Sequence, residues 1–135
     1  MRKGLTKAIQ EGRVHPGNGI DGDFFSPKNN RTLHYRSQLE LHWYQLLEKL
    51  SKVRAYYVEP VVIEYQWKRR IRRYIPDLRV RYTDGTTELI EIKPERDFFR
   101  KDPKNIAKWE AARRWCESRK VPTEFRVVGY KELSA

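Results

Sequence analysis

The sequence contains little cysteine and no long apolar segment. Cys116 is the single cysteine among 135 residues, so an internal disulfide and a cysteine-built zinc site are both excluded. No apolar run approaches the ~20 residues that a membrane-spanning helix requires, and no basic amphipathic helix with a bulky apolar face is evident. The first residues, MRKGLTKAIQEG, lack the apolar core of a signal peptide. We therefore expect a cytoplasmic protein with no membrane partner.

Acidic residues are few relative to basic ones. The chain has 29 lysines and arginines against 18 aspartates and glutamates, a formal net charge of +11. Such an excess in a chain of single-domain length indicates a polyanionic partner. Nucleic acid is the first candidate, because neutralisation of phosphates supplies most non-specific affinity.

The N-terminal quarter is rich in glycine and proline. For residues 1–36 we predict an irregular arm that is partly disordered without a partner. An equally weighted alternative is a meandering lid packed through Phe24 and Phe25. The folded domain then spans residues 37–135.

Regular patterns begin at Ser37. Apolar residues at spacings of three and four predict a helix over about 37–51, and a second helix after Pro103 with Ile106, Trp109, Ala112 and Cys116 on its apolar stripe. Branched and aromatic residues predict strands over 56–67, 72–82, 87–93 and 124–130. The predicted fold class is α/β with the order αβββαβ, a mixed sheet flanked by helices.

Acidic residues interrupt the most apolar of these strands. Asp77 opens a β-run, the turn at Asp84-Gly85 reverses the chain, and the return strand presents Glu91 and Lys93. Residues two apart on a strand share a face, so Glu91 and Lys93 point the same way. A carboxylate buried without a partner is costly, and a bound cation would explain two together. The alternative is the polar side of a half-solvated sheet.

Glu40 has two interpretations. Ser37-x-x-Glu40 matches a capping box, in which the serine caps the helix and the glutamate bonds back to the backbone. A carboxylate on a helix packed across the sheet would equally complete a metal cluster with Asp77 and Glu91.

His34 and His42 could act as ligands or bases, although a lone histidine is more often a packed or surface residue.

A dense basic run separates two of the predicted strands. Five positive charges fall within six residues, which we expect to form a tight turn: Lys68, Arg69, Arg70, Arg72 and Arg73. Concentrating like charges beside an acidic cluster favours contact with a phosphate backbone. The alternative is a solvated hairpin tip.

Three short motifs, in this order, resemble the PD-(D/E)xK nuclease superfamily: Ser37-x-x-Glu40, Tyr74-x-Pro76-Asp77 and Glu91-x-Lys93. The resemblance covers about residues 32–132. It is greatest with a group that includes the TnsA endonuclease subunit of heteromeric transposases, the head-completion nuclease of large tailed phages and the junction-resolving endonuclease I of other phages. The segment Lys108-Trp109-x-Ala111-Ala112 is similar to the first two in particular.

The resemblance implies a restriction-endonuclease-like core and cleavage of DNA phosphodiesters with Mg²⁺ or Mn²⁺. Carried over to this sequence, the metal ligands would be Glu40, Asp77, Glu91 and the backbone carbonyl of Ile92. Lys93 would position or activate the attacking water and stabilise the phosphate. Hard oxygen ligands independently suit these metals. We add Lys108 to the basic run as a DNA contact.

The substrate and partners are expectations of a further kind. A small basic nuclease has little means of reading bases, so DNA shape is the expected signal. We favour a phage-type homodimer that cuts four-way junctions or other branched DNA, in a bacterium or a phage-infected host cell. The first alternative is a TnsA-like subunit that works with a transposase, although such proteins usually add a C-terminal domain and this sequence ends at Ala135. The second is an inert DNA-binding or packaging protein on a nuclease fold, which the presence of all four catalytic groups disfavours.

Overall fold

A computed structural model describes residues 21–97 and 102–134. In chain order its strands and helices are β1 (Gly22–Ser26), β2 (Arg31–Tyr35), α1 (Gln38–Lys49), β3 (Val53–Val58), β4 (Ile63–Trp67), β5 (Arg70–Tyr74), β6 (Leu78–Tyr82), β7 (Thr87–Ile92), α2 (Pro103–Glu117) and β8 (Thr123–Val128). Short 3₁₀-helices cover Glu95–Asp97 and Lys131–Ser134. The predicted combination of a mixed sheet with two flanking helices is confirmed.

A four-stranded sheet forms the centre, in the order β3-β6-β7-β8. Its first three strands are antiparallel neighbours, whereas β7 and β8 run parallel. A parallel pair needs a long crossover, which α2 supplies. Side chains alternate along β7, so Ile90 packs with α1 on one face while Leu89 packs with α2 on the other. The sheet is therefore covered on both faces, and its strand ends carry the polar residues described below.

Two of the predicted strands are each broken in two. The run 56–67 divides after Val58, where Glu59 adopts a left-handed φ of 49° before Pro60. The run 72–82 divides around Pro76, which has no N–H to donate to a ladder. The inner pieces, β4 and β5, pair with each other in a separate two-stranded sheet packed against α2. Periodicity alone did not reveal these breaks.

The prediction of an irregular segment is wrong for residues 22–35. They form an antiparallel hairpin, β1–β2, in register from Gly22↔Tyr35 to Ser26↔Arg31. Phe24 packs against the core beneath α1, whereas Phe25 is 56% exposed, so the alternative of packing through both is half correct. Residues 1–20 lie outside the described part of the chain.

Both helices begin at a side chain that caps the first turn. The Ser37 side chain accepts from the backbone of Glu40, and the Asp102 side chain from that of Lys104. The buried residues of α2 are Ala111, Ala112 and Cys116; Ile106 is 48% exposed. At 100° per residue, Ile106 lies about 120° around the helix from Ala112, which explains why its place on the predicted stripe is wrong.

Neither helix in the described residues has the length and apolarity of a membrane span.

Candidate active site

Asp77 and Glu91 meet at the ends of two paired strands. The β6–β7 register includes Leu78↔Ile90, so its continuation places Asp77 beside Glu91 on one face of the sheet. Both are buried, at 2% and 6% exposure. Asp77 Oδ2 accepts from the N–H of Ile92 at 2.8 Å, and Glu91 Oε1 accepts from the hydroxyl of Tyr74 at 2.9 Å. Register thus brings together two of the predicted catalytic carboxylates.

Glu40 reaches the same region from the first turn of α1. Its Oε1 accepts from the backbone N–H of Arg36 at 3.0 Å, while its own N–H donates to Ser37 Oγ at 3.1 Å. The return bond of a standard capping box goes to the N-cap N–H; here it goes one residue earlier. The second oxygen, Oε2, faces the guanidinium of Arg36 at 3.0 Å. One carboxylate thus both supports the helix start and faces the acidic cluster.

Arg36 lies at the centre of this cluster and was not among the predicted site residues. Its Nη2 atom donates to Asp77 Oδ1 at 2.8 Å as well as to Glu40 Oε2, and its Nη1 atom donates to Glu59 Oε1 at 3.1 Å. Glu59 is a fourth buried carboxylate, at 8% exposure. A left-handed backbone is uncommon for a glutamate and is characteristic of functional sites.

The electrostatics of the cluster favour a positive charge. Burial acts to lower the pKa of Arg36, but attraction to Asp77, Glu40 and Glu59 outweighs it and raises that pKa well above its ordinary value. Burial, reinforced by Glu40, likewise raises the pKa of Tyr44. One guanidinium faces three carboxylates, so the formal charges of these four side chains sum to two negative charges. The site therefore remains attractive to a further cation.

The predicted ligands fit a divalent cation in chemistry and, for two of them, in convergence. Glu40 Oε2 and Asp77 Oδ1 lie 3.0 and 2.8 Å from the same nitrogen, Arg36 Nη2, so both point at one position that a cation already holds. Within residues 21–97 and 102–134, however, no three histidine, cysteine, aspartate or glutamate side chains are arranged so that they could hold a metal ion. In this structure Glu40 and Asp77 share a guanidinium nitrogen instead.

A cleft of about 310 Å³ opens beside the cluster. Lys93 lines it, together with Glu40, Ile92, Arg96 and Tyr130. Lys93 follows β7 and donates its backbone N–H to Val128 at 2.8 Å, which fixes its position beside β8. A larger cleft, of about 530 Å³, is lined by Tyr82 and Glu88 and contains none of the predicted catalytic residues. The smaller cleft is lined by both Glu40 and Lys93, so a phosphate that entered it would lie beside these two predicted site residues.

Two of the five basic residues of the run lie in a turn and three lie on a strand. Lys68 and Arg69 form the tip between β4 and β5 with left-handed φ angles of 48° and 63°, while the other three arginines lie on β5 and are exposed. Arg70 and Arg72 share a face with Tyr74, whereas Arg73 lies on the opposite face, paired in register with Glu64. The prediction that the whole run is a turn is wrong, because its last three arginines pair with β4.

The remaining candidates lie around or outside the cluster. The ammonium of Lys108 is 5.7 Å from the centre of the Tyr74 ring, and so close to the Glu91 side of the site. His34 is buried between Asp21 and Asp23, at 3.4 and 3.1 Å, and His42 is exposed on α1. The structure brings neither histidine to the cluster.

The site residues that sequence reasoning missed carried only faint signals. Arg36 precedes Glu40 by four residues, a spacing that favours ion pairs on helices, but it lies before the helix. Glu59 stands before a proline inside the single strand predicted over 56–67, and nothing in the sequence indicates its burial. Arg96 and Tyr130 are far apart in sequence, and both line the cleft.

Comparison with known proteins identifies the family. No curated protein matches this sequence. The sequence model of one family, described as TnsA-like endonuclease N terminal, matches residues 50–128, which includes Asp77, Glu91 and Lys93 and leaves Glu40 outside. Because this match covers more than half of the chain, the protein belongs to the TnsA-like endonuclease N-terminal family and carries a nuclease domain, whose substrate is DNA.

Proposed function

We propose that the protein is a metal-dependent DNA endonuclease that hydrolyses phosphodiester bonds at the cluster of Glu40, Asp77, Glu91 and Lys93. One observation carries the proposal: Glu40 Oε2 and Asp77 Oδ1 converge on a single cationic nitrogen. Glu91 lies on the neighbouring strand and Lys93 directly after it, both within the region that matches the family.

Each residue has a defined part in this reaction. Glu40, Asp77, Glu91 and the carbonyl of Ile92 would hold Mg²⁺ or Mn²⁺, and Ile92 also orients Asp77 through its N–H. The metal would supply an activated water and neutralise charge that develops on the phosphate. Lys93 donates from the cleft toward the phosphate or the attacking water, and Tyr74 fixes the orientation of Glu91.

The β4–β5 hairpin is the proposed DNA contact outside the reaction centre. Its base, Tyr74, bonds to Glu91, and its tip lies five residues further along β5, about 17 Å at the usual rise per residue. Lys68, Arg69, Arg70 and Arg72 lie at the tip or on the Tyr74 face, where they could contact phosphates beyond the cleaved bond.

The family match favours a TnsA-like role, in which this nuclease cuts duplex DNA together with a transposase partner. A junction-resolving homodimer is the second candidate, favoured by the concentration of charge on one hairpin and the absence of base-reading motifs in the sequence.

A cleavage assay tests the proposal. Linear duplex, single strand, flap and four-way junction are incubated with the protein in Mg²⁺, Mn²⁺, Ca²⁺ or chelator, with Asp77→Asn as the matched inactive variant. We expect cutting in Mg²⁺ or Mn²⁺, little in Ca²⁺ because its larger, looser shell places the reactants poorly, and none in chelator or by Asp77→Asn. Full activity in excess chelator would overturn the metal mechanism, and the preferred substrate decides between the two roles.

A further inference from the structure

The position of Arg36 suggests a task beyond structural support. We propose that Arg36 is a resident cation that occupies the metal position between Glu40 and Asp77, that Glu59 holds it there, and that metal binding requires its displacement. This inference rests on the proposed metal-dependent function, because it concerns the same two carboxylates.

The geometry makes the two cations mutually exclusive. One nitrogen, Arg36 Nη2, contacts Asp77 Oδ1 at 2.8 Å and Glu40 Oε2 at 3.0 Å. Mg²⁺ binds carboxylate oxygens at about 2.0–2.1 Å, so an ion shared by these oxygens would lie in the space that the guanidinium fills. We therefore expect an ion bound between these two oxygens to compete with the guanidinium for this position.

Glu59 provides an anchor that is separate from the predicted metal ligands. Arg36 Nη1 donates to Glu59 Oε1 at 3.1 Å, and the Glu59 N–H donates to the backbone oxygen of Asp77 at 2.9 Å. The left-handed backbone at this glutamate, φ 49°, places its carboxylate in the cluster. A glutamate rarely adopts this backbone conformation. Its occurrence at Glu59 is explained if the task of this residue is to orient the guanidinium of Arg36.

Such an arrangement compensates buried charge in the metal-free protein. Glu40, Glu59 and Asp77 are all less than 9% exposed, and buried carboxylates without a counter-ion strongly disfavour the folded state. Arg36 supplies that counter-ion until a metal replaces it, so the folded metal-free protein is stable and its apparent metal affinity is lowered by the competition.

Direct metal binding tests the proposal without using catalysis. Free Mn²⁺ is measured by electron paramagnetic resonance during titration of the full chain without DNA, for the wild type, Arg36→Met and Arg36→Lys. The matched control is Arg126→Met, which removes an equal charge from an ion pair with Glu88. We expect Arg36→Met to bind Mn²⁺ about 10-fold more tightly or better, within the range typical of coupled binding events. The Mn²⁺ affinity of Arg36→Lys should lie between those of the wild type and Arg36→Met. The Mn²⁺ affinity of Arg126→Met should equal that of the wild type.

Thermal unfolding provides a second readout on the same samples. Arg36→Met should melt lower than the wild type without metal and gain more from saturating Mn²⁺, because a tighter ligand stabilises more. If Arg36→Met does not fold without metal, an NMR measurement that follows Arg36 in the wild type still tests the displacement. The side-chain Nε–H signal of Arg36 in ¹H–¹⁵N spectra, assigned by its loss in Arg36→Lys, should shift and lose protection from exchange when diamagnetic Mg²⁺ is added.

The outcomes separate this inference from the proposed function. Equal Mn²⁺ affinity in the wild type and Arg36→Met, or an Arg36 signal unchanged at saturating Mg²⁺, would overturn the displacement while leaving the metal-dependent nuclease intact. Absence of Mn²⁺ binding in every variant would overturn the metal site itself, and this inference with it.

Discussion

Glu40 combines two tasks because its two carboxylate oxygens face different groups. Oε1 supports the chain entering α1 through the N–H of Arg36, and Oε2 faces the guanidinium that Asp77 shares. The sequence offered a helix cap and a metal ligand as alternatives. The structure shows that the contact with the helix start uses only one of the two carboxylate oxygens, so the capping role does not by itself exclude the proposed second role.

Substituting Glu40 by glutamine separates the two tasks. Glutamine can still accept from the N–H of Arg36 through its amide oxygen but is a poor anionic ligand. We expect DNA cleavage to fall by at least ~100-fold, the lower end of what a lost catalytic electrostatic contact costs. The free energy of unfolding should fall by only about 1–3 kcal/mol, because Arg36 keeps Glu59 and Asp77. Cleavage near the wild-type rate, in a protein whose unfolding is measured in parallel, would leave Glu40 with a structural role alone.

At the scale of elements, the turn of the β4–β5 hairpin contains residues that its turn type disfavours. Two-residue hairpin loops with positive φ at both positions normally use Asn-Gly or Asp-Gly, yet Lys68 and Arg69 occupy these positions here. A local conflict of this kind is expected where function selects the side chains rather than stability. The charges at the tip are therefore stronger candidates for DNA contact than their exposure alone indicates.

Replacing the two tip residues by asparagine and glycine, which this turn type prefers, should raise the stability of the protein and weaken its binding to DNA. We expect the double variant Lys68→Asn with Arg69→Gly to gain about 0.5–2 kcal/mol in unfolding free energy, because the strained φ angles are relieved. Its DNA affinity should weaken, and the slope of log affinity against log salt should fall by up to about one unit per lost phosphate contact. Arg73→Gln, on the opposite face, is the control and should change that slope less. An unchanged slope in the double variant would identify the tip as a solvated loop.

At the scale of the whole molecule, α1 joins the N-terminal hairpin to the nuclease core. Glu48 on this helix accepts from Ser26 Oγ at 2.6 Å, from the N–H of Lys28 at 2.8 Å and from the hydroxyl of Tyr56 on β3 at 2.9 Å. Burial acts to raise the pKa of Glu48, but these hydrogen bonds and the charge of Lys28 outweigh it and lower that pKa below its ordinary 4.5. The ionised form is therefore the one that connects the hairpin, the helix and the sheet.

The contribution of Glu48 should depend on pH in a defined direction. Because its folded pKa is lowered, its stabilisation is present above the unfolded value of 4.5 and is lost as the pH falls through the folded value. Glu48→Gln should thus lower the unfolding free energy by about 1 kcal/mol at neutral pH, and the difference from the wild type should vanish in acid. Denaturant unfolding of both proteins between pH 7 and about pH 3 measures this difference in unfolding free energy. A difference that persists at the lowest pH would assign the effect to packing instead.

The sequence by itself determined the layers and the catalytic motifs. Periodicity located both helices, and the caps Ser37 and Asp102 act within a few residues of themselves. Asp77, Glu91 and Lys93 were recognisable because strand alternation and a tight turn at Gly85 are local consequences of the chain. Each of these features depends on neighbours close in sequence.

Only the tertiary structure decided what depends on distant contacts. The breaks at Glu59 and Pro76, the pairing of β4 with β5 and the packing of β1–β2 on α1 require partners that periodicity does not specify. Arg36 became a site residue only when Glu40, Glu59 and Asp77 converged on it from a helix and two strand ends, because a buried arginine is stable only where several carboxylates meet. The carboxylates of the proposed site were thus evident from the sequence, whereas the arginine among them was not.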